Sequence, residues 1–167
     1  MAYRFSTDGK LDRAAAAAEL RRFLNLLLDR TKLELRYELR EQADAGDSAP
    51  EVLVILHGRD QELALQHNAE LLLAIEYLAL RWLRIEPQFY DRIQIDCGNY
   101  HANRLAELNT TAKLAAEKVA SSKQSYAFPP MSARERRLVH IALKDVAGVR
   151  TESEGMGDRR MVVIHPA

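Results

Sequence analysis

The chain has 167 residues, with 24 Lys+Arg balancing 24 Asp+Glu, 47% hydrophobic and 29% charged, which is ordinary for a globular protein of one medium or two small domains. Its single cysteine, Cys97, excludes an intrachain disulfide and a cysteine-cluster metal site and fits a reducing cytoplasm; Met1 to Arg22 is too charged for a secretory leader, and no apolar run is long enough to span a membrane. The charge is unevenly spread, since residues 1–98 hold 13 Lys+Arg against 17 Asp+Glu (net −4) and residues 99–167 hold 11 against 7 (net +4), so any grip on a phosphate backbone should come from the back half.

The first element predicted is a helix from about Leu11 to Asp29. Ala14 to Ala18 supply propensity, and Leu20, Phe23, Leu24, Leu27 and Leu28 form its apolar face. Leu33, Leu35, Tyr37 and Leu39 alternate with charged residues as a half-buried strand, Ala43 to Pro50 reads as a turn, and Val52 to Leu56 as a strand central in its sheet. His57-Gly58-Arg59-Asp60-Gln61 then opens a helical region to about Arg84. Leu71, Leu72, Ile75, Leu78, Ala79, Trp82 and Leu83 keep helical spacing there, and Asn68 is placed to cap a second segment. Pro87 stops the helix, and Ile93, Ile95 and Cys97 alternate as a third strand. This α-β-β-α-α-β order closes one core without residues beyond about 98.

From Gly98 to Gln124 a basic helix follows, apolar at Leu105, Leu108, Ala112, Ala115 and Val119 and carrying Arg104, Lys113, Lys118 and Lys123. Tyr126-Ala127-Phe128 makes a short strand before Pro129-Pro130. Ser132 with Glu135 three residues on forms a capping box, which starts a helix expected to run to about Ala147. At about 100° per residue, Leu138, Val139, Ile141, Ala142 and Val146 share one face, with Arg136 and His140 on the other. Lys144 continues that second stripe and Arg137 flanks it. Such a row of donors can follow a phosphate backbone, and a neutral imidazole can stack on a base or hydrogen-bond to it. A merely solvated basic face has the same composition.

A hairpin closes the chain. Val149, Thr151 and Ser153 alternate with Arg150, Glu152 and Glu154; Gly155 to Asp158 form a turn-rich loop; Arg160, Val162 and Ile164 then alternate with Met161, Val163 and His165. The five histidines are scattered, and no metal-binding pair, nucleophile elbow or phosphate-binding loop is present. No catalysis, cofactor or metal is therefore expected.

Two resemblances follow from these residues. Pro130-Met131, Glu135-Arg136-Arg137, His140, Ala142-Leu143, Thr151-Glu152-Ser153-Glu154-Gly155 and Arg159-Arg160 resemble the R-3-H domain, a module that binds single-stranded nucleic acid and is named for its Arg-x-x-x-His. The front unit resembles a type II KH domain, whose G-x-x-G loop between strand and helix holds single-stranded RNA or DNA. Here the loop reads Gly58-Arg59-Asp60-Gln61. Gln61 replaces the second glycine, and Asp60 adds a negative charge where phosphate would lie.

A KH unit followed directly by an R-3-H unit resembles the Jag family of bacterial RNA-binding proteins. The resemblance implies an α+β chain with a KH-like domain over 11–98 and an R-3-H α-β-α-β-β domain over 99–167. It implies a cytoplasmic, non-catalytic protein that binds single-stranded RNA, ahead of single-stranded DNA, in post-transcriptional control. The partner besides nucleic acid is expected to be a separate small KH protein or a second copy of the chain. The extra N-terminal domain of many Jag proteins is expected to be missing. The residues implied in binding are Arg136, Arg137, His140, Lys144, Ser153, Arg159 and Arg160, with Gly58 and Arg59 in the front loop. The competing reading is a protein-interaction or dimerisation scaffold built on the degenerate KH unit.

Overall fold

A computed structural model of the chain describes residues 5–7, 10–42 and 49–167. Most of the turn expected over Ala43 to Pro50 lies outside them. The chain is α+β and divides into two compact units, Met1–Tyr100 and His101–Ala167.

The front unit opens on a two-residue ribbon, β1 (Ser6–Thr7) with β2 (Lys10–Leu11), too short for periodicity to show. Asp12 caps α1 (Arg13–Thr31) by accepting the Ala15 N–H at 3.1 Å. Ala16, Ala17, Leu20, Phe23 and Leu24 bury its inner face. β3 (Leu35–Glu41) pairs antiparallel with β4 (Val52–Gly58), and β5 (Ile93–Cys97) pairs parallel to β4, so β4 is central as its continuous apolar run implies. The first strand starts two residues later than Leu33. The Glu34 N–H and C=O are taken by the Asp60 carboxylate (2.7 Å) and the Asp60 N–H (3.5 Å), so the ladder begins only after them.

Between β4 and β5 runs α2 (Gln61–Leu83), broken at Gln66–Ala69, where His67, Asn68 and Ala69 take left-handed φ of 52°, 60° and 61°. Two helical segments result, as expected. The break is set in the backbone, and the Asn68 carbonyl accepts the Tyr100 hydroxyl at 3.1 Å. Beyond it the core stripe is Leu72, Ile75, Ala79 and Leu83. Leu78 and Trp82, expected in that stripe, are 49% and 45% exposed. Trp82 leans on Phe23 with ring centroids 5.7 Å apart and donates its indole N–H to Glu19 at 3.0 Å, so only one edge of it is covered. A 3-10 turn, Pro87–Arg92, carries Phe89 into the core before β5.

The back unit has the order α3 (Tyr100–Ser122), β6 (Tyr126–Ala127), α4 (Ala133–Leu143), β7 (Val149–Glu154), β8 (Met161–Pro166). Its antiparallel sheet is ordered β6-β8-β7. The core gathers Leu108, Ala112, Ala116 and Val119 of α3, Val139 and Leu143 of α4, and Phe128, Val149, Val162 and Ile164.

Helix α4 departs from expectation in two ways. It ends at Leu143, not Ala147, because the Lys144 and Val146 N–H groups turn back to the Ile141 and Leu143 carbonyls (3.4 and 3.1 Å) ahead of Gly148, whose φ is 81°. It is also rotated about its axis from the expected orientation. Leu143 is buried, and Ile141, expected in the core, is 59% exposed. Centring the buried face on Val139 and Leu143 moves Arg136 and His140 from the far side to the margin of the core, where both are half-buried.

Candidate nucleic-acid interface

The site is built on the first turns of α4. The Ser132 hydroxyl accepts the Glu135 N–H at 3.3 Å, and the Glu135 carboxylate accepts the Ser132 N–H at 2.8 Å, which fixes where the helix starts. The second Glu135 oxygen accepts from Arg104 of α3 at 3.1 Å. One acidic side chain thus sets the phase of α4 and ties it to α3.

That phase turns Arg136 back toward the segment before the helix. Its guanidinium donates to the Met131 carbonyl at 2.9 Å, and the Met131 N–H donates to the Arg160 carbonyl at 3.1 Å. Met131 so links the two arginines through its backbone. Burial, and then the positive charge of Arg160, pull the Arg136 guanidinium below its usual range. It stays charged, as arginine does. Among the described residues no carboxylate lies within ion-pair distance of Arg136, Arg137, Lys144, Arg159 or Arg160. Two neighbouring guanidiniums without a counter-ion are a ready position for an anionic oxygen.

His140 lies one turn after Arg136 and is held at both ring nitrogens. Nδ1 is 2.7 Å from the Thr151 hydroxyl, and Nε2 is 2.9 Å from the Ser153 hydroxyl. Each hydroxyl can donate or accept, so either neutral tautomer is satisfied. Burial first, and Arg136 second, hold the imidazole below its ordinary range. The ring edge is therefore engaged with β7, and what remains to a ligand is the ring face. In this arrangement His140 pins the helix to the hairpin and gives Arg136 a rigid neighbour.

Arg136, Arg137, His140, Lys144 and Ser153, all singled out in the sequence, line one open cleft of about 400 Å³, together with Ala133 and Ile141. Arg160 is not among the lining residues, but its charge bears on Arg136 and its carbonyl accepts the Met131 N–H. Arg159 is exposed, on the 3-10 turn Gly157–Arg159. That turn needs the glycine before it, because Gly155 has φ of 85° and a Cβ there would meet the Arg159 carbonyl at 2.6 Å. The sequence reading missed Thr151 as a ligand-shaping residue and Ile141 as a lining one. The signal for the first was its alternation with Ser153 on one strand face. For the second it was the spacing of four from Arg137.

On the opposite face of the hairpin, Glu152, Glu154 and His165 present donors within 4.8 Å of one another. They are already committed. His165 bonds Glu154 at 3.0 Å and Ser125 at 2.9 Å, and Glu152 pairs with Arg150.

The front loop is tied to β3. Gly58 has φ of 144°, and a Cβ there would meet the Glu34 carbonyl at 2.3 Å, so this glycine serves close backbone approach. Arg59 pairs with Glu34 at 3.0 Å, and Asp60 accepts the Glu34 N–H instead of capping α2. Gly58 and Arg59 thus both have a local role.

Residues 106–166 match the family model of the R-3-H domain. The chain is 32% identical over 119 residues to the RNA-binding protein KhpB of Clostridium symbiosum, an alignment that covers 71% of this chain and 54% of that protein. It is 30% identical over 109 residues to KhpB of Bacillus subtilis, covering 64% and 52%. It is 31% identical over 100 residues to KhpB of Streptococcus pneumoniae, covering 59% and 30%. The chain therefore spans about half the length of the first two of these relatives.

Proposed function

Because the chain is a Jag-family protein that carries an R-3-H domain, we propose that it binds single-stranded RNA through the α4–hairpin face and acts in post-transcriptional control. The observation that carries this is the cleft in which Arg136, Arg137 and Lys144 stand without a carboxylate partner among the described residues, with Arg160 alongside and His140 locked beneath. Residues 99–167 form the binding unit and residues 11–98 a KH-like unit, which the observed α-β-β-α-α-β order of the front unit supports. Single-stranded ligands suit this face, because one helix and one hairpin edge present cations beside side chains that an unpaired base can meet. The protein is a binder without a reaction of its own, works in the cytoplasm, and pairs with a small KH protein or with itself. The exposed α2 side chains Tyr77, Leu78 and Trp82 support such pairing.

Fluorescence anisotropy of the full chain with a labelled single-stranded RNA tests the central claim. Binding should exceed that of a duplex of equal length, and log affinity should fall linearly with log salt. Arg59→Ala should change affinity by less than about threefold, because Arg59 is exposed and must give up Glu34 to reach a phosphate. No binding at low salt, or a loss with Arg59→Ala as large as that from the cleft arginines, would overturn the assignment to the back unit.

A further inference from the structure

The phosphate contacts leave one side chain of the cleft without a task. Ile141 is 59% exposed, although α4 completes its core contacts through Val139 and Leu143. A β-branched side chain on a solvated helix face gives nothing to helix propensity. It lies four residues after Arg137 and three before Lys144, and all three line the cleft. Arg137 and Lys144 are seven residues apart, about 10 Å along the axis, with the apolar group between them. Ala133, one turn before Arg137 on the same row, extends the apolar strip, and Ser153 stands at its side.

A single nucleic-acid strand alternates charged phosphates with nucleosides whose ring faces are apolar. The cleft repeats that order in side chains, cation, aliphatic group, cation. A peptide ligand would need carboxylates in the same spacing and would gain nothing from the strip's width. We infer that Ile141 is the shelf on which a nucleoside of the bound strand lies, between phosphates held by Arg137 and Lys144. This rests on the single-stranded RNA reading and adds to it a contact with the base. Because the shelf meets a ring face and offers no donor or acceptor, it holds any of the four bases and reads none of them.

The test compares the full chain, Ile141→Ala, Ile141→Leu and Arg137→Ala. The probes are oligouridine and a strand of the same length with abasic positions, each titrated at several salt concentrations. Ile141 is exposed, so its variants should melt as the wild type does. On oligouridine, Ile141→Ala should weaken binding about fivefold with the salt slope unchanged, while Ile141→Leu retains affinity. On the abasic strand, Ile141→Ala should equal the wild type. Arg137→Ala should instead lower the slope by about one on both strands. Equal affinity of Ile141→Ala and wild type for oligouridine overturns the inference, as does a loss of equal size on the abasic strand. A wild-type chain that binds neither strand overturns the RNA reading itself, a separate result.

Discussion

Replacing both Arg136 and Arg160 with alanine should weaken single-stranded RNA binding about 100-fold at low salt and lower the salt slope by about two, one for each phosphate no longer held. The expectation rests on their adjacency. Arg136 is held by the Met131 carbonyl, Arg160 bears on it electrostatically, and neither has a carboxylate partner among the described residues. Each single change should cost less than half of the combined loss, since the remaining guanidinium is relieved of its neighbour's charge, and a double-mutant cycle reads that coupling. Arg159→Ala should weaken binding less than Arg160→Ala, because Arg159 sits on the 3-10 turn and Arg160 is the one whose charge bears on Arg136. Equal effects of Arg159 and Arg160, with no coupling to Arg136, would make the hairpin a diffuse positive patch.

The second large effect concerns the folded state. Helical phase read from the sequence places His140 opposite the core and predicts that its removal leaves the fold intact. The structure instead places His140 half-buried at the margin of the core, bonded at both ring nitrogens. His140→Ala removes the partner of two half-buried hydroxyls, Thr151 and Ser153, so we expect a loss of about 1–3 kcal/mol in chemical denaturation, with weaker binding as the helix and hairpin loosen. The pH dependence follows from the direction of the shift. The folded imidazole titrates below its ordinary value, so the unfolded chain takes up the proton first as pH falls. This contribution to stability is complete above the unfolded pKa of about 6.5 and is lost as pH drops through the lower folded value. Wild type should therefore lose more stability than His140→Gln between neutral and mildly acidic pH. Identical pH profiles for the two would remove the pin from the account of the site.

Element order was legible because it rests on periodicity, glycines and caps. Ser132 and Glu135 announced the start of α4 and form the capping box they suggested. The central place of β4 followed from an unbroken apolar run. What failed was rotation about an axis. In α4 the apolar residues Leu138, Val139, Ile141, Ala142 and Leu143 surround most of the helix, so periodicity alone does not choose a centre. The choice is made by what the helix packs against, namely the β7–β8 hairpin, within the core that α3 also enters. The same ambiguity put Leu78 and Trp82 in the front core. Of the site, the charged residues were legible as a stripe. The bonds of Thr151 and Ser153 to His140 were not, because these residues meet it only through the fold of the hairpin onto the helix.

The close approach of Arg136 to Arg160 has a consequence beyond affinity. The Arg136 guanidinium is fixed on the Met131 carbonyl and the Arg160 main chain on the Met131 N–H, so the charge of Arg160 bears on Arg136 in the folded unit. Any oligoanion that settles between them relieves that repulsion in the folded chain and finds no equivalent position in the unfolded one. Occupancy and folding are then two readings of a single equilibrium. The melting temperature of the protein should climb with the concentration of a short single-stranded oligonucleotide, and this rise should vanish in Arg160→Ala. Without such an oligonucleotide, the back unit should open more often than with it, which hydrogen exchange would read.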